Sequence, residues 1–179
     1  MNRRYPILLA IFLSLSLAAC AAIRDSNAPV QTGLATGVGG QPGSCPVTQP
    51  PDPPYAPPPS YSSPEEGAFW YGSDALWTML PLDGTWRGLP FSDNGYTQKT
   101  FWWQQGYDWQ ADPQPDLTVT GKRLDASAPP LLASGATNGY NPDLGSFMLV
   151  GVDIPTEGCW EITGQAGDQS LSFIVWVEP

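Results

Sequence analysis

The apolar residues fall into one continuous run near the start of the chain and a series of short, interrupted runs in its second half. Residues 7–19 (ILLAIFLSLSLAA) are apolar apart from two serines. From about residue 67, aromatic and β-branched residues come in short stretches divided by Gly, Pro, Asn and Asp, the texture of strands joined by turns. Strands are expected at residues 75–80 (ALWTML), 99–104 (KTFWWQ), 117–124 (LTVTGKRL) and 146–154 (SFMLVGVDI), with Asp83-Gly84 as a turn after the first. The third alternates. The fourth is apolar on both faces at its centre, which places it inside a sheet. Residues 159–164 (CWEITG) and 170–177 (SLSFIVWV) are expected to form a closing hairpin around residues 165–169 (QAGDQ). No helix-period stretch and no internal repeat follow the leading run. Strands of this length and spacing predict an all-β fold, a sandwich or a barrel.

The leading run follows Arg3 and Arg4. A positively charged start and roughly 7–15 apolar residues form a secretory signal, whereas a spanning helix needs about 20. The run ends Leu17-Ala18-Ala19-Cys20. That tetrapeptide resembles the lipobox of bacterial lipoproteins, and the charge, the run length and the tetrapeptide agree over residues 1–20. The resemblance implies cleavage before Cys20 and a diacylglyceryl group on its sulfur. The alternative is an ordinary signal peptide in which Cys20 is incidental. A buried methylene is worth about 0.8 kcal/mol and stable anchoring takes more than one chain, so two or three acyl chains would hold the protein to a membrane. In the lipoprotein family an Asp after the cysteine favours the inner membrane of enteric bacteria. Ala21 stands there instead and leans towards an outer membrane where the host has one. The expected location is extracytoplasmic and lipid-anchored, at the cell membrane or the outer membrane.

Four segments follow from these textures: a signal peptide (1–19), a lipidated cysteine with a flexible tether (20–44), a proline-rich arm (45–66) and a β-domain (67–179). The tether is rich in Gly, Ser, Thr and Ala and lacks periodicity. The arm holds nine prolines within residues 46–64. Proline fixes φ and lacks a backbone donor, so polyproline II is expected there. The arm reads as a stiff spacer or as a ligand for a proline-binding module. Without the first 19 residues, five Lys and Arg face 17 Asp and Glu, a net charge of −12. Such a surface repels nucleic acid, whose binding needs basic patches.

The phrases SCPVT (44–48), FWYGSDALWTML (69–80), FWW (101–103), TGKRLDASAPPL (120–131) and EGCWEITGQAGDQSLSFIVWV (157–177) resemble a family of uncharacterised bacterial exported proteins. The resemblance covers roughly residues 44–179, and the closing hairpin is its most distinctive part. It implies a small immunoglobulin-like β-sandwich and an exported location, and it carries no activity or catalytic residues.

With Cys20 assigned to lipid, Cys45 and Cys159 remain. Outside the cytoplasm such a pair favours a disulfide, here across 114 residues. It would pin the end of the tether to the sandwich and lead the arm along its surface. Two thiols without a histidine do not complete a zinc shell.

Histidine is absent. This removes Ser-His-Asp and Cys-His nucleophiles and the usual general base near neutral pH. No P-loop, G-x-G-x-x-G or G-x-S-x-G occurs. Asp108, Asp112 and Asp116 lie among prolines and read as a solvated loop rather than as a glycosidase pair. Asp83-Gly84-Thr85 has Thr and Gly in the wrong order for an aspartic protease. Ser92-Asp93-Asn94 and residues 138–143 offer oxygen ligands but no EF-hand pattern; they read as turns. No cofactor, no metal and no catalysis are expected. The remaining chemistry is aromatic. Trp102 and Trp103 are adjacent in an expected strand and so point to opposite faces; Trp86 and Trp109 fall in expected loops. Exposed, these four indoles would stack sugar rings, which makes a glycan or cell-wall ligand the sharp expectation. Covered by prolines 50–59, they would be packing. The partner expected besides the membrane is a cell-envelope protein or glycan.

Overall fold

The computed structural model describes residues 45–58 and 63–179. The expected signal peptide, Cys20 and the tether lie outside the described residues, as do residues 59–62 of the arm. Among the described residues the repeating structure is all strand: β1 (Ala68–Ser73), β2 (Leu76–Pro81), β3 (Thr85–Trp86), β4 (Phe91–Ser92), β5 (Gly95–Trp103), β6 (Leu117–Arg123), β7 (Leu132–Ala133), β8 (Thr137–Asn141), β9 (Gly145–Ile154), β10 (Gly158–Ala166) and β11 (Gln169–Val177). They form two sheets. The larger runs β1-β2-β5-β9-β7, with β4 also on β5 and β8 also on β9; the smaller runs β3-β11-β10-β6. Only β3 on β11 is parallel. The fold is therefore an all-β sandwich, as the spacing of the strands implies.

The closing hairpin is tighter than expected. Ala166 pairs with Gln169, so Gly167-Asp168 is a two-residue turn in place of a loop over 165–169. Gly167 sits at φ 58°, the left-handed conformation such turns demand and glycine supplies.

The period-two alternation of each strand sorts its side chains to two faces. Leu76, Leu80, Trp102, Met148, Val150, Val152 and Ile154 of the larger sheet meet Leu117, Val119, Trp160, Ile162, Phe173, Val175 and Val177 of the smaller one. Trp102 lies over Gly164, where a Cβ would come within 2.5 Å of its ring, so the indole fills the space a side chain would take. Its Nε1 donates to Thr100 Oγ1 at 3.0 Å, and that hydroxyl donates to the Val150 carbonyl at 3.0 Å. A buried indole N–H needs such an acceptor.

The outer face of the larger sheet carries a second aromatic cluster of Trp70, Trp77 and Trp103, flanked by Met79, Phe101, Leu144 and Phe147. The arm supplies part of its cover. Tyr55 packs edge-on to Trp77, with ring centroids 6.5 Å apart, and its hydroxyl bonds Asp74 at 3.1 Å. Earlier in the arm, Cys45 is joined to Cys159 by a disulfide with Cα atoms 5.5 Å apart. Val47 packs with Trp176 and Ile174 over that bond. Thr48 N donates to Ile174 O at 2.9 Å, and Ile174 N donates to Thr48 Oγ1 at 2.8 Å. The arm thus borders β11 beyond the point where β3 stops, and it contacts outer faces of both sheets.

Candidate functional site

The larger sheet is not closed along its length. β2 and β5 pair at Trp77 with Trp103 and at Thr78 with Trp102, and there the ladder stops. The register would next set Met79 against Phe101 and Pro81 against Lys99. Two features of the sequence end it. Pro81 has no N–H to give the ladder, and its carbonyl accepts Gly84 N at 2.9 Å in the following turn. Thr78 Oγ1 donates to the Phe101 carbonyl at 2.8 Å, so a side chain takes part of the work of the next backbone pair. Farther along, the same edge of β5 is taken by β4, which pairs with Tyr96 and Gly95.

Between these points the sheet opens into a cleft of about 320 Å³, near the lower end of small-ligand pockets, roughly 300–1,000 Å³. Trp86 and Phe173 of the smaller sheet line it, with their rings 6.0 Å apart and edge to face. Met79, Leu80 and Phe101 add apolar surface; Thr78, Gln98, Thr100, Glu66 and Lys99 add polar groups. Trp86 is held from both sides. Its carbonyl accepts Glu178 N at 3.0 Å, and next to it Arg87 pairs with Asp83 at 2.6 Å and Glu178 at 2.7 Å. The Arg87 hydrogen bond, helped by the Thr85 N–H, holds the Asp83 carboxyl below the usual carboxylate range. Asp83-Gly84-Thr85 is therefore a braced turn. Lys99 is exposed at the cleft and is the one described cation outside any ion pair; Arg87, Lys122 and Arg123 each have an acidic partner.

The four tryptophans singled out for stacking do not form one platform. Trp102 and Trp103 are fully buried on opposite faces of β5, which overturns their expectation as stacking surfaces: one fills the space over Gly164, the other lies in the outer cluster with its Nε1 on the Leu144 carbonyl at 2.8 Å. Trp86 is 8% exposed and lines the cleft rather than an open platform. Trp109 alone is half-exposed. It stacks at 23° on Tyr140, which is 56% exposed, and its carbonyl accepts Asn138 Nδ2.

Of the acidic loop, Asp112 and Asp116 line a depression of about 200 Å³ with Asp168. Asp108 instead caps the Gln110 N–H at 2.9 Å. Tyr107 in that loop donates to the Asp112 carbonyl at 2.9 Å. Burial, with the charges of Asp112 and Asp108, pushes its hydroxyl up to about 12, so it stays a donor. Ser92 and Asn141 likewise cap backbone N–H groups within their own turns. Among the described residues, no three His, Cys, Asp or Glu side chains group to hold a metal. Set against models of known protein families, curated proteins and solved structures, the chain matches none.

Proposed function

We propose that the protein is an exported, lipid-anchored component of a bacterial cell envelope whose sandwich is a non-enzymatic binding module, with its ligand in the cleft beside Trp86. The observation that carries the binding reading is the interrupted β2–β5 ladder, which leaves apolar interior, open strand edge and an unpaired lysine in one place. Export is supported by residues 1–20 and by the Cys45–Cys159 disulfide, a bond that persists in oxidising compartments. Two experiments test the two halves. Metabolic labelling with a fatty-acid analogue is expected to mark the parent chain in the membrane fraction and to leave Cys20→Ser unlabelled and soluble; a parent chain without label would remove the anchor. Titration of the chain with short peptides and with peptidoglycan and glycan fragments, following the Trp86 indole resonance, tests the cleft. A ligand class that moves this resonance saturably supports the reading, and silence across the panel removes it.

A second reading has its own observation. The exposed Tyr140 ring stacked on Trp109 is an aromatic surface of the kind sugar rings use. On that reading a glycan would shift the Trp109 indole and leave Trp86 unmoved, and Tyr140→Ala would abolish the shift.

A further inference from the structure

We infer that the ligand of the cleft is a short extended peptide, which adds as a strand to the open edge of β5 and lays an apolar side chain against Trp86 and Phe173. This rests on the reading of the cleft as a binding site and names what enters it.

The backbone of β5 sets the edge. Thr97 N donates to the Pro90 carbonyl at 2.8 Å, so Thr97 faces the side of β5 that β4 occupies. In a strand alternate residues face the same edge, so Lys99 and Phe101 face it too. Lys99 has no ladder partner there, because β4 ends before it, and the N–H of Phe101 lies just past the last pair of the ladder to β2, Thr78 with Trp102. Side chains occupy the vacant positions. Gln98 Oε1 accepts the Lys99 N–H at 2.9 Å, and Thr78 Oγ1 donates to the Phe101 carbonyl. The Gln98 amide supplies to Lys99 the group that a neighbouring strand would otherwise supply. An incoming peptide would displace the Gln98 amide and bond Lys99 through its own main chain, the mode of strand addition at a sheet edge.

The cleft also sets what the peptide carries. A strand lying in the plane of the sheet sends alternate side chains to opposite faces, so those on the inner side reach the apolar lining of Trp86, Phe173 and Leu80. The exposed, unpaired Lys99 ammonium favours a carboxylate on the adjacent residue. The stretch open on each strand is about three residues, or roughly 10 Å at about 3.3 Å per residue; recognition is therefore short, with one inward apolar residue and one acidic neighbour.

The test uses the full chain in detergent micelles and a set of short peptides of alternating threonine and valine. The central residue is Ala, Leu or Phe, and its neighbour Glu or Gln. Strand addition predicts four results together. The Trp86 indole resonance shifts saturably. Amide exchange at Lys99 and Phe101 slows by about tenfold or more. N-methylation of the peptide amides that face β5 abolishes binding. The preference for Glu over Gln disappears in Lys99→Gln. Gln98→Ala, which removes the competing side chain, is expected to bind about fivefold more tightly. Peptides that move Trp86 without slowing Lys99 and Phe101, or that tolerate N-methylation, would overturn strand addition and leave the cleft as a binding site. No peptide binding, with glycan fragments moving Trp86, would overturn the peptide and leave the cleft. If neither class moves Trp86, both readings fall.

Discussion

The two sheets of the sandwich are built to different degrees of closure. In the smaller sheet β10 pairs along its full length with β11 and over most of it with β6, and the outer side of that ladder carries the disulfide and the start of the arm. In the larger sheet β1–β2 and β5–β9 are ordinary ladders, yet they meet only at Trp77 and Thr78. A sheet normally avoids bare edges inside a fold. Here the difference is one of chemistry at a few residues: a proline where β2 needs a donor, and a threonine and a glutamine whose side chains answer the main chain. The smaller sheet acts as scaffold, and the larger one holds an opening against it.

The largest effect expected from breaking this arrangement is at the disulfide. The bond closes 114 residues, for which chain entropy gives about 4–5 kcal/mol. Cys45→Ala with Cys159→Ala is expected to lower the urea midpoint by a large part of that and to release Thr48 from β11. A double variant as stable as the parent would mean that the arm is held by its other contacts alone.

Next is the fit between the sheets. Gly164→Ala sets a Cβ 2.5 Å from the Trp102 ring, which is fully buried and cannot swing away; overpacking of this kind costs about 1–3 kcal/mol. Gly151→Ala, on the outer side of the larger sheet, meets only Ser134 Oγ at 3.5 Å and is expected to be neutral or slightly stabilising. Equal losses from the two substitutions would contradict the placement of Trp102. Thr100→Val tests the same indole from the other side. It removes the acceptor of Trp102 Nε1 at the wall of the cleft, and an orphaned buried donor costs about 1–3 kcal/mol.

How much of this was legible follows from how local each feature is. The six expected strands are all present because each is a run of six to nine residues rich in aromatic and β-branched side chains. β1 escaped because both of its faces are aromatic or small (AFWYGS), which hides alternation. β3, β4 and β7 are two residues each, too short to carry any pattern, and β8 (TNGYN) has the composition of a turn. The opposite orientation of Trp102 and Trp103 was legible from adjacency alone, and the disulfide from cysteine count and expected compartment. The cleft was not. It exists because Pro81 and Lys99, 18 positions apart in sequence, fall opposite each other where a ladder has already stopped. Trp86 reaches it only through a parallel pairing with the last residues of the chain. The sole sequence signal was Pro81 at the end of an otherwise regular strand.

The smallest expected effect separates the two sheets by pH. Asp125 belongs to the closed side: its Oδ1 accepts Arg123 Nε at 2.7 Å and Cys159 N at 3.2 Å. The Arg123 hydrogen bond, with the Cys159 N–H adding to it against the cost of burial, lowers its pKa from 3.8. A carboxyl whose folded pKa lies below its unfolded value, about 3.9, contributes its full stabilisation above the unfolded value and loses it as pH falls through the folded one. The urea midpoint should therefore be level on this account from neutral pH to about pH 5 and fall below about pH 4. Asp125→Asn keeps an acceptor for Cys159 N and removes the charge facing Arg123. It should lower neutral stability by about 1 kcal/mol or less and flatten part of the acid slope. Asp83 has the same direction of shift at the turn before Trp86, but it is more exposed, so Asp83→Asn should flatten the slope less. Equal slopes in the parent and in Asp125→Asn would show that this ion pair does not contribute to the closed sheet, and the stability of that side would then rest on the disulfide and the β10 ladders.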